Sequence, residues 1–252
     1  MNTFEKHGIT YLSASTINQW VSQPALCLLK IAGITDSGAG PAAWRGTGAD
    51  RAITKAAFNP DINEDDLIQT ALDAFDEQHK NVVEDHDQDK IDKERKAMID
   101  YVRVGSKFYA SLPDRPIGSQ GKIITKLDEI EVPFIGYYDL SYETKVRDIK
   151  TSAIAPNKPT AANCRQLALY GYALNLEPHL DYINRKEVKS YPVPNVMLFV
   201  ESMRIAALSL KNVLAVSDDI FECCKLVYPD IDHWMWGETT KAAAYDIWKV
   251  KS

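Results

Sequence analysis

Apolar residues recur at helical intervals along the first half of the chain. Ile17 and Trp20 follow Ser13 and Ser15, either of which suits the N-cap position that precedes a helix. The same three- and four-residue spacing predicts further helices over residues 25–31, 44–58 and 91–111, and another that begins after the acidic residues 63–66. Residues 1–116 are therefore expected to be mainly helical.

The apolar pattern changes after Ile117. The stretch 136–150 is typical of two short strands joined by a tight turn. The run 193–200 is apolar apart from Asn195, which predicts a central strand with both faces buried. The other predicted elements are strands at 122–126 and 130–138 and helices at 161–176, 203–227 and 241–248.

This order of elements predicts an α/β fold, in which a mixed central sheet is flanked by helices and preceded by a helical N-terminal portion. Residues 1–252 are expected to form a single domain, because this length suits one large domain. Residues 1–116 would supply the helical part, and residues 117–252 the sheet, its flanking helices and a C-terminal tail.

The stretch 136–150 also concentrates charge. Asp148 and Lys150 are two residues apart, so they share one face of a strand. If residues 143–144 form a two-residue turn, Asp139 lies directly opposite Asp148. Two carboxylates that face each other across a hairpin repel, and by themselves they would destabilise the sheet.

A hard divalent cation would reverse this repulsion, because Mg²⁺ is held by one or two carboxylates together with water and phosphate oxygens. A lysine beside the cation is placed to orient or deprotonate a water. The hairpin therefore predicts a metal-dependent phosphodiesterase centre built from Asp139, Asp148 and Lys150. The alternative is that Asp148 and Lys150 form a surface ion pair of little energetic value.

Composition and charge narrow the class of protein. Hydrophobic residues make up 45% of the 252 residues and charged residues 25%, as in ordinary soluble globular proteins. The sequence shows no secretory signal and no apolar run that could span a bilayer, so we expect a cytoplasmic protein without a membrane partner. The net charge of −6 argues against broad nonspecific coating of nucleic acid, although a local basic channel can still hold phosphates.

Two charged segments admit two interpretations each. The run 84–87 contains His86 among carboxylates, which suits a metal, but a solvated charge run is preferred. The helix at 91–111 either presents its cations to phosphates or pairs them with neighbouring carboxylates. The cations in and beside this helix are Lys90, Lys93, Arg95, Lys96, Arg103 and Lys107.

Neither the cysteines nor the C-terminal aromatic residues predict a site. The cysteine spacing fits neither a zinc site nor a disulfide framework, so buried free thiols are expected. The four cysteines are Cys27, Cys164, Cys223 and Cys224. His233, Trp234 and Trp236 are expected to pack near the C-terminus rather than to stack on bases.

Four short segments of the chain carry a further pattern. They are Leu12–Ile17, Arg45–Asp50, Gly136–Asp139 with Asp148–Thr151, and Gln166–Tyr170. In this order they resemble the PD-(D/E)xK nucleases, and within them the RecB-like branch that includes lambda-type phage exonucleases. The segments are similar, respectively, to an N-terminal helix signature, a G-x-x-x-H/E segment with aspartate in its final place, the metal and catalytic core, and a Q-x-x-x-Y helix. Each is weak alone, but their joint order is specific.

The resemblance implies a restriction-endonuclease-like core that hydrolyses DNA phosphodiester bonds with Mg²⁺ or Mn²⁺. Asp139 and Asp148 would hold the metal, with the carbonyl of Ile149 and the carboxylate of Asp50 as further ligands. Lys150 would orient the attacking water or stabilise the developing charge.

The resemblance also implies supporting roles around the hairpin. Gln166 and Tyr170 are four residues apart on one helix face, and they would position the water, Lys150 or the phosphate backbone. DNA contacts are expected from Ser15, Arg45, Thr151 and Arg165. The plainer alternatives are that Asp50 is a helix-surface carboxylate and that Gln166 and Tyr170 are a half-buried helix face.

The chain departs from the family pattern in two places. Gln23-Pro24 stands where the family often has Cys-Pro, and Cys223-Cys224 does not supply the cysteine set of the iron–sulfur members. We therefore expect no iron–sulfur cluster.

The sequence as a whole predicts an Mg²⁺-dependent DNA exonuclease that acts on linear duplex or single strands in phage-type recombination, repair or DNA degradation. An endonuclease of the same superfamily is disfavoured because no specificity segment is evident. A nonhydrolytic DNA-binding or assembly subunit is disfavoured because both hairpin aspartates and the lysine are retained. Lambda-type relatives form rings, which suggests a homo-oligomer, and a single-strand-annealing or recombination protein would be a partner. A phage-encoded chain would act in the host cytoplasm.

Overall fold

The computed structural model describes residues 1–36, 38, 40–80 and 87–250. Glu84, Asp85 and His86, the members of the acidic run that suited a metal, lie outside the described residues. The chain divides into two compact units. The first consists of Met1–Asp36, Lys122–Gly136 and Asn195–Ser252, and the second consists of Ser37–Gly121 and Tyr137–Pro194.

Helices and strands follow one another along the described chain in an order that puts six helices before the first strand. The helices are α1 (Thr3–Lys6), α2 (Ala14–Ser22), α3 (Pro24–Ile31), α4 (Pro41–Phe58), α5 (Glu64–Lys80), α6 (Gln88–Ser111), α7 (Ala161–Leu174), α8 (Val196–Leu214), α9 (Ile220–Cys224) and α10 (Glu238–Trp248). The strands are β1 (Gly118–Thr125), β2 (Phe134–Ser141), β3 (Lys145–Thr151), β4 (Glu177–Ile183) and β5 (Val188–Pro192).

The five strands form one mixed sheet in the order β1-β2-β3-β4-β5. Strands β2 and β3 are antiparallel, β3 and β4 are parallel, and β4 and β5 are antiparallel. Helix α7 connects β3 to β4, because two parallel strands need a crossover connection. The helix ends at Asn175, which takes the left-handed conformation common at helix C-termini. The predicted α/β class, with a mixed sheet and flanking helices, is confirmed.

Close packing of helices α4, α5 and α6 forms the core of the second unit. A Cβ atom at Gly48 of α4 would lie 2.7 Å from the carbonyl oxygen of Ala71 on α5, so only glycine allows this approach. Trp44 and Phe75 pack edge to face in the same core, with ring centroids 5.7 Å apart. Because α4 also packs against β3, this core fixes the helix that carries Asp50.

Two predicted elements in the C-terminal part are wrong. The apolar run 193–200 is not a strand, because α8 begins within it after Asn195. A short apolar run does not distinguish helix from strand, whereas the buried positions of α8 have helical spacing. They include Val200, Met203, Ala207, Leu210 and Leu214. The helix predicted over 203–227 stops with α8, and the chain becomes helical again only in α9, which Asp219 caps.

The sheet itself also differs from the prediction. Strand β2 begins at Phe134 rather than at residue 130, and β4 and β5 have no counterpart among the predicted strands. The alternation of apolar and polar residues that marks a strand is interrupted in β4 by Pro178 and by a fully buried carboxylate, Asp181. Asp181 is buried beside Arg147 of β3, and this pairing across strands is not visible in the local pattern.

In the first unit, Ser13 caps α2 as predicted, because its side chain accepts a hydrogen bond of 3.1 Å from the Thr16 N–H. The expected C-terminal packing is confirmed for Trp236, which is buried, but it is wrong for Trp234, which is 84% exposed. All four cysteines of the chain are buried and unpaired, as predicted. Within the described ranges, no helix combines the length and the apolar character that a membrane crossing needs.

Candidate active site

The hairpin of β2 and β3 adopts the predicted register. Leu140 faces Arg147, and Ser141 faces Val146. The next pair is closed by a 2.7 Å hydrogen bond from the Tyr142 N–H to the Lys145 carbonyl, which leaves residues 143–144 as the two-residue turn. This register puts Asp139 directly opposite Asp148.

Asp148 is 1% exposed, so the alternative of a surface ion pair is wrong. Its Oδ2 atom lies 2.5 Å from Lys150 Nζ, while Asp139 Oδ2 accepts a 2.6 Å hydrogen bond from the Ile149 N–H. Burial raises the pKa of Asp148, and the charge of Lys150 opposes that rise. Burial works against a charged Lys150, but Asp148 and Asp139 outweigh it and raise the pKa of the lysine. Lys150 is therefore held as an ammonium.

Asp50 on α4 is the third carboxylate of this cluster. Burial, followed by the charge of Asp148, raises its pKa to about 6. Burial also raises the pKa of Asp139 well above its usual value, and the charges of Asp148 and Asp50 add to the effect. Gln120 Nε2 donates to both Asp50 Oδ2 and Asp139 Oδ1, at 2.9 and 3.4 Å. We call Asp50, Asp139 and Asp148 the carboxylate cluster.

Helix α7 contributes the two residues that were expected from it. Gln166 Nε2 donates to Asp148 Oδ1 at 3.3 Å and to the Tyr170 hydroxyl at 2.9 Å. Tyr170 is buried, and burial raises its pKa although the hydrogen bond from Gln166 opposes this. The second unit thus brings together the six predicted catalytic or metal-binding side chains, which are Asp50, Asp139, Asp148, Lys150, Gln166 and Tyr170.

The residues expected to contact DNA are more dispersed. Arg45 forms an ion pair with Glu94 of α6, and its guanidinium lies 4.8 Å from the centre of the Tyr101 ring. Thr151 ends β3 directly after Lys150, and Arg165 precedes Gln166 on α7. Ser15 belongs to the first unit, where its hydroxyl lies 2.8 Å from that of Ser13.

The donor set of the carboxylate cluster fits a hard divalent cation. Asp50 Oδ1 is buried and accepts no hydrogen bond from the described residues, whereas Asp148 Oδ2 lies 2.5 Å from Lys150 Nζ. Buried carboxylate oxygens without donors are costly, and a cation that prefers oxygen ligands would satisfy them. Across residues 1–36, 38, 40–80 and 87–250, no three His, Cys, Asp or Glu side chains already have the arrangement of a metal-binding group. The amide of Gln120 bridges two of the three carboxylates instead.

Sequence reasoning missed two features around this site. Gln120 has a φ of 50°, a left-handed conformation that is uncommon for a residue other than glycine, and nothing in its neighbourhood in the sequence marks it. On β3 and β4, Arg147 donates to Asp181 at 2.8 Å, and Tyr109 of α6 donates to the same carboxylate at 2.5 Å. The signal for this buried network was Arg147 itself, a charged residue between Val146 and the buried Asp148 in β3.

Comparisons with known proteins leave the family open. No family model and no curated protein matches the chain. Among solved structures, the crystal structure of a protein called SSO0001 is similar over 60% of this chain and 87% of its own, with 16% sequence identity and a TM-score of 0.33. A similarity of this degree carries no argument about function.

Proposed function

We propose that the chain is a metal-dependent DNA exonuclease with a restriction-endonuclease-like core. One observation carries the proposal: three carboxylates, from α4, β2 and β3, lie around Lys150. Strands β2 and β3 form a hairpin in the predicted register. This set of groups suits phosphodiester hydrolysis, and the four family-like segments of the sequence favour DNA as the substrate.

The carboxylate cluster would hold Mg²⁺ or Mn²⁺, and the carbonyl of Ile149 is a further ligand candidate. When bound, the cation supplies positive charge that polarises a phosphate oxygen and lowers the pKa of a bound water. Gln120 donates to both Asp50 and Asp139, so it holds the two carboxylates near each other in spite of their repulsion.

Lys150 acts as a hydrogen-bond donor in this proposal. The neighbouring Asp148 and Asp139 keep it protonated, so it orients the attacking water or stabilises the developing negative charge rather than removing a proton. Gln166 fixes Asp148 by donating to its Oδ1 atom, which leaves Oδ2 for Lys150. The Tyr170 hydroxyl accepts from Gln166 and keeps its own proton for the water or a phosphate oxygen.

Replacement of the lysine tests this assignment. Lys150→Met should lower the rate of Mg²⁺-dependent nucleotide release from linear DNA by about 100- to 1,000-fold, the usual cost of losing one such donor. DNA affinity, measured by fluorescence anisotropy in EDTA, should stay close to that of the wild type. Lys145→Met removes the same charge at the start of the same strand and serves as the control.

Unchanged turnover in Lys150→Met would remove this residue from the chemistry. A wild-type protein that binds DNA but releases no nucleotides with either Mg²⁺ or Mn²⁺ would instead favour the nonhydrolytic DNA-binding subunit.

A further inference from the structure

A second feature of the second unit is a cavity of about 610 Å³ between α4, α6 and the segments that follow β3 and β4. Arg45, Lys93, Lys96, Arg103 and Arg185 line it. We call it the cationic cavity. Its volume lies within the range of roughly 300–1,000 Å³ that is typical of ligand sites.

The position of the cavity relates it to the candidate active site. Strands β3 and β4 are parallel, so their carboxyl ends meet at one edge of the sheet, where ligands of such sheets commonly bind. Ala153, three residues after Lys150, lines the cavity, and so does Arg185, two residues after the end of β4. Arg45 comes from α4, the helix that also carries Asp50. The cavity thus lies at the end of the strand from which the proposed catalytic lysine projects.

The charge of the cavity is opposite in sign to that of the whole chain. Five of its lining side chains are cationic, whereas only Glu94 and Asp100 are carboxylates, in a chain with a net charge of −6. A cleft of one sign attracts ligands of the other, even on a protein of unfavourable overall charge. An anionic ligand is therefore the one that this cavity suits.

The cations of the cavity fall into two groups. The three arginines already pair with carboxylates. The pairs are Arg45–Glu94, Arg185–Asp100 and Arg103–Glu64. Lys93 and Lys96 are exposed on α6 and form no ion pair with the described residues. Exposed lysines without carboxylate partners can neutralise phosphates, which releases bound counterions from a nucleic acid.

We infer that the cationic cavity binds the phosphate backbone of the DNA strand that the candidate active site cleaves, and that Lys93 and Lys96 contact two of its phosphates. The inference rests on the proposed function for the identity of the strand. On this inference, each interpretation of the α6 charges holds for part of the helix. Lys93 and Lys96 face phosphates, while Arg95 and Arg103 pair with Asp76 and Glu64.

The salt dependence of DNA binding tests the inference without requiring cleavage. Each phosphate contact contributes about 0.9 to the slope of log K against log salt for duplex DNA, and about 0.7 for single strands. Lys93→Gln/Lys96→Gln should therefore make the slope shallower by about 1.8 or 1.4, respectively. At about 0.1 M salt the same contacts correspond to a loss of affinity of about 60-fold or 25-fold. Binding would be measured by anisotropy in EDTA between about 50 and 200 mM salt.

The matched control is Lys90→Gln/Lys107→Gln, which removes the same charge from the same helix at positions that do not line the cavity. The control should keep the wild-type slope. Equal losses of DNA affinity in the two double variants would overturn the inference, because general surface charge would explain them. A wild-type slope in Lys93→Gln/Lys96→Gln, the cavity variant, would overturn it as well.

The outcomes for the inference and for the proposed function are separable. A wild-type protein that hydrolyses DNA while the cavity variant keeps its affinity would overturn the inference alone. Weaker binding by the cavity variant, together with no hydrolysis by the wild type, would overturn the exonuclease and leave the cavity as a DNA-binding site. A wild-type protein that does not bind DNA would overturn both.

Discussion

The carboxylate cluster should make the metal-free protein less stable than it would be without the cluster. Asp50 has a pKa of about 6 because of burial and the charge of Asp148, whereas its ordinary value is 3.8. The folded protein therefore binds a proton at Asp50 more tightly than the unfolded chain does. Its free energy of unfolding falls as the pH rises from about 4 to about 6, and the full cost of the charge is present above that window.

The magnitude follows from the difference in pKa. Each pH unit between the ordinary and the raised value is worth about 1.4 kcal/mol, so a charged Asp50 costs about 3 kcal/mol above pH 6. Asn cannot ionise and keeps the shape of the side chain. Asp50→Asn should therefore be more stable than the wild type by up to about 3 kcal/mol near pH 8 and by little near pH 4.

Urea unfolding followed by tryptophan fluorescence in EDTA measures this difference. Mg²⁺ should reduce the stability difference between Asp50→Asn and the wild type. A cation at 100 times its Kd stabilises the folded wild type by about 2.7 kcal/mol, whereas the variant lacks one of the carboxylates that would bind it. Asp128→Asn, at an exposed position, is the control and should change the free energy of unfolding by less than about 0.5 kcal/mol. Two results would contradict the assigned pKa of Asp50: a variant Asp50→Asn that is less stable than the wild type near pH 8, or one whose advantage is the same at both pH values.

Two further variants probe the surroundings of the site. Gln120→Glu would place a fourth carboxylate beside Asp50 and Asp139. It should lower the urea midpoint in EDTA and increase the stabilisation by Mg²⁺. An unchanged response to Mg²⁺ would show that Gln120 does not face the cation. Arg147→Met would leave the fully buried Asp181 without its ion pair and should cost about 3–5 kcal/mol of unfolding free energy, much of which Arg147→Met/Asp181→Leu should restore. A loss below about 1 kcal/mol in the single variant would contradict the importance of this ion pair.

Local pattern was sufficient for the hairpin and for the helices that surround it. The register of β2 and β3 depends on a two-residue turn and on alternation along two adjacent strands, and both are encoded within about a dozen residues. The helices α4 and α7 were predicted from apolar spacing, and these two helices carry Asp50, Gln166 and Tyr170 to the site. The α/β class followed from the order of these elements.

The features that were missed depend on contacts between distant segments. Strand β4 buries Asp181 because Arg147 and Tyr109 supply its donors, and neither donor is a neighbour in sequence. Gln120 meets Asp50 across 70 positions of the chain. The run 193–200 was misassigned because a short, mostly apolar run suits a buried strand and the first turns of a helix equally well. In each case, tertiary packing determines what the local pattern leaves open.

In the proposed function, the carboxylate cluster and Lys150 degrade DNA from its ends with a divalent cation. The most direct measurement is digestion of an end-labelled linear duplex beside the same DNA as a closed circle, with Mg²⁺ or with EDTA. We expect labelled nucleotides to be released from the linear duplex only with Mg²⁺, while the circle stays intact. Rapid cutting of the circle would contradict the exonuclease and favour an endonuclease, and equal release in EDTA would contradict the requirement for a metal.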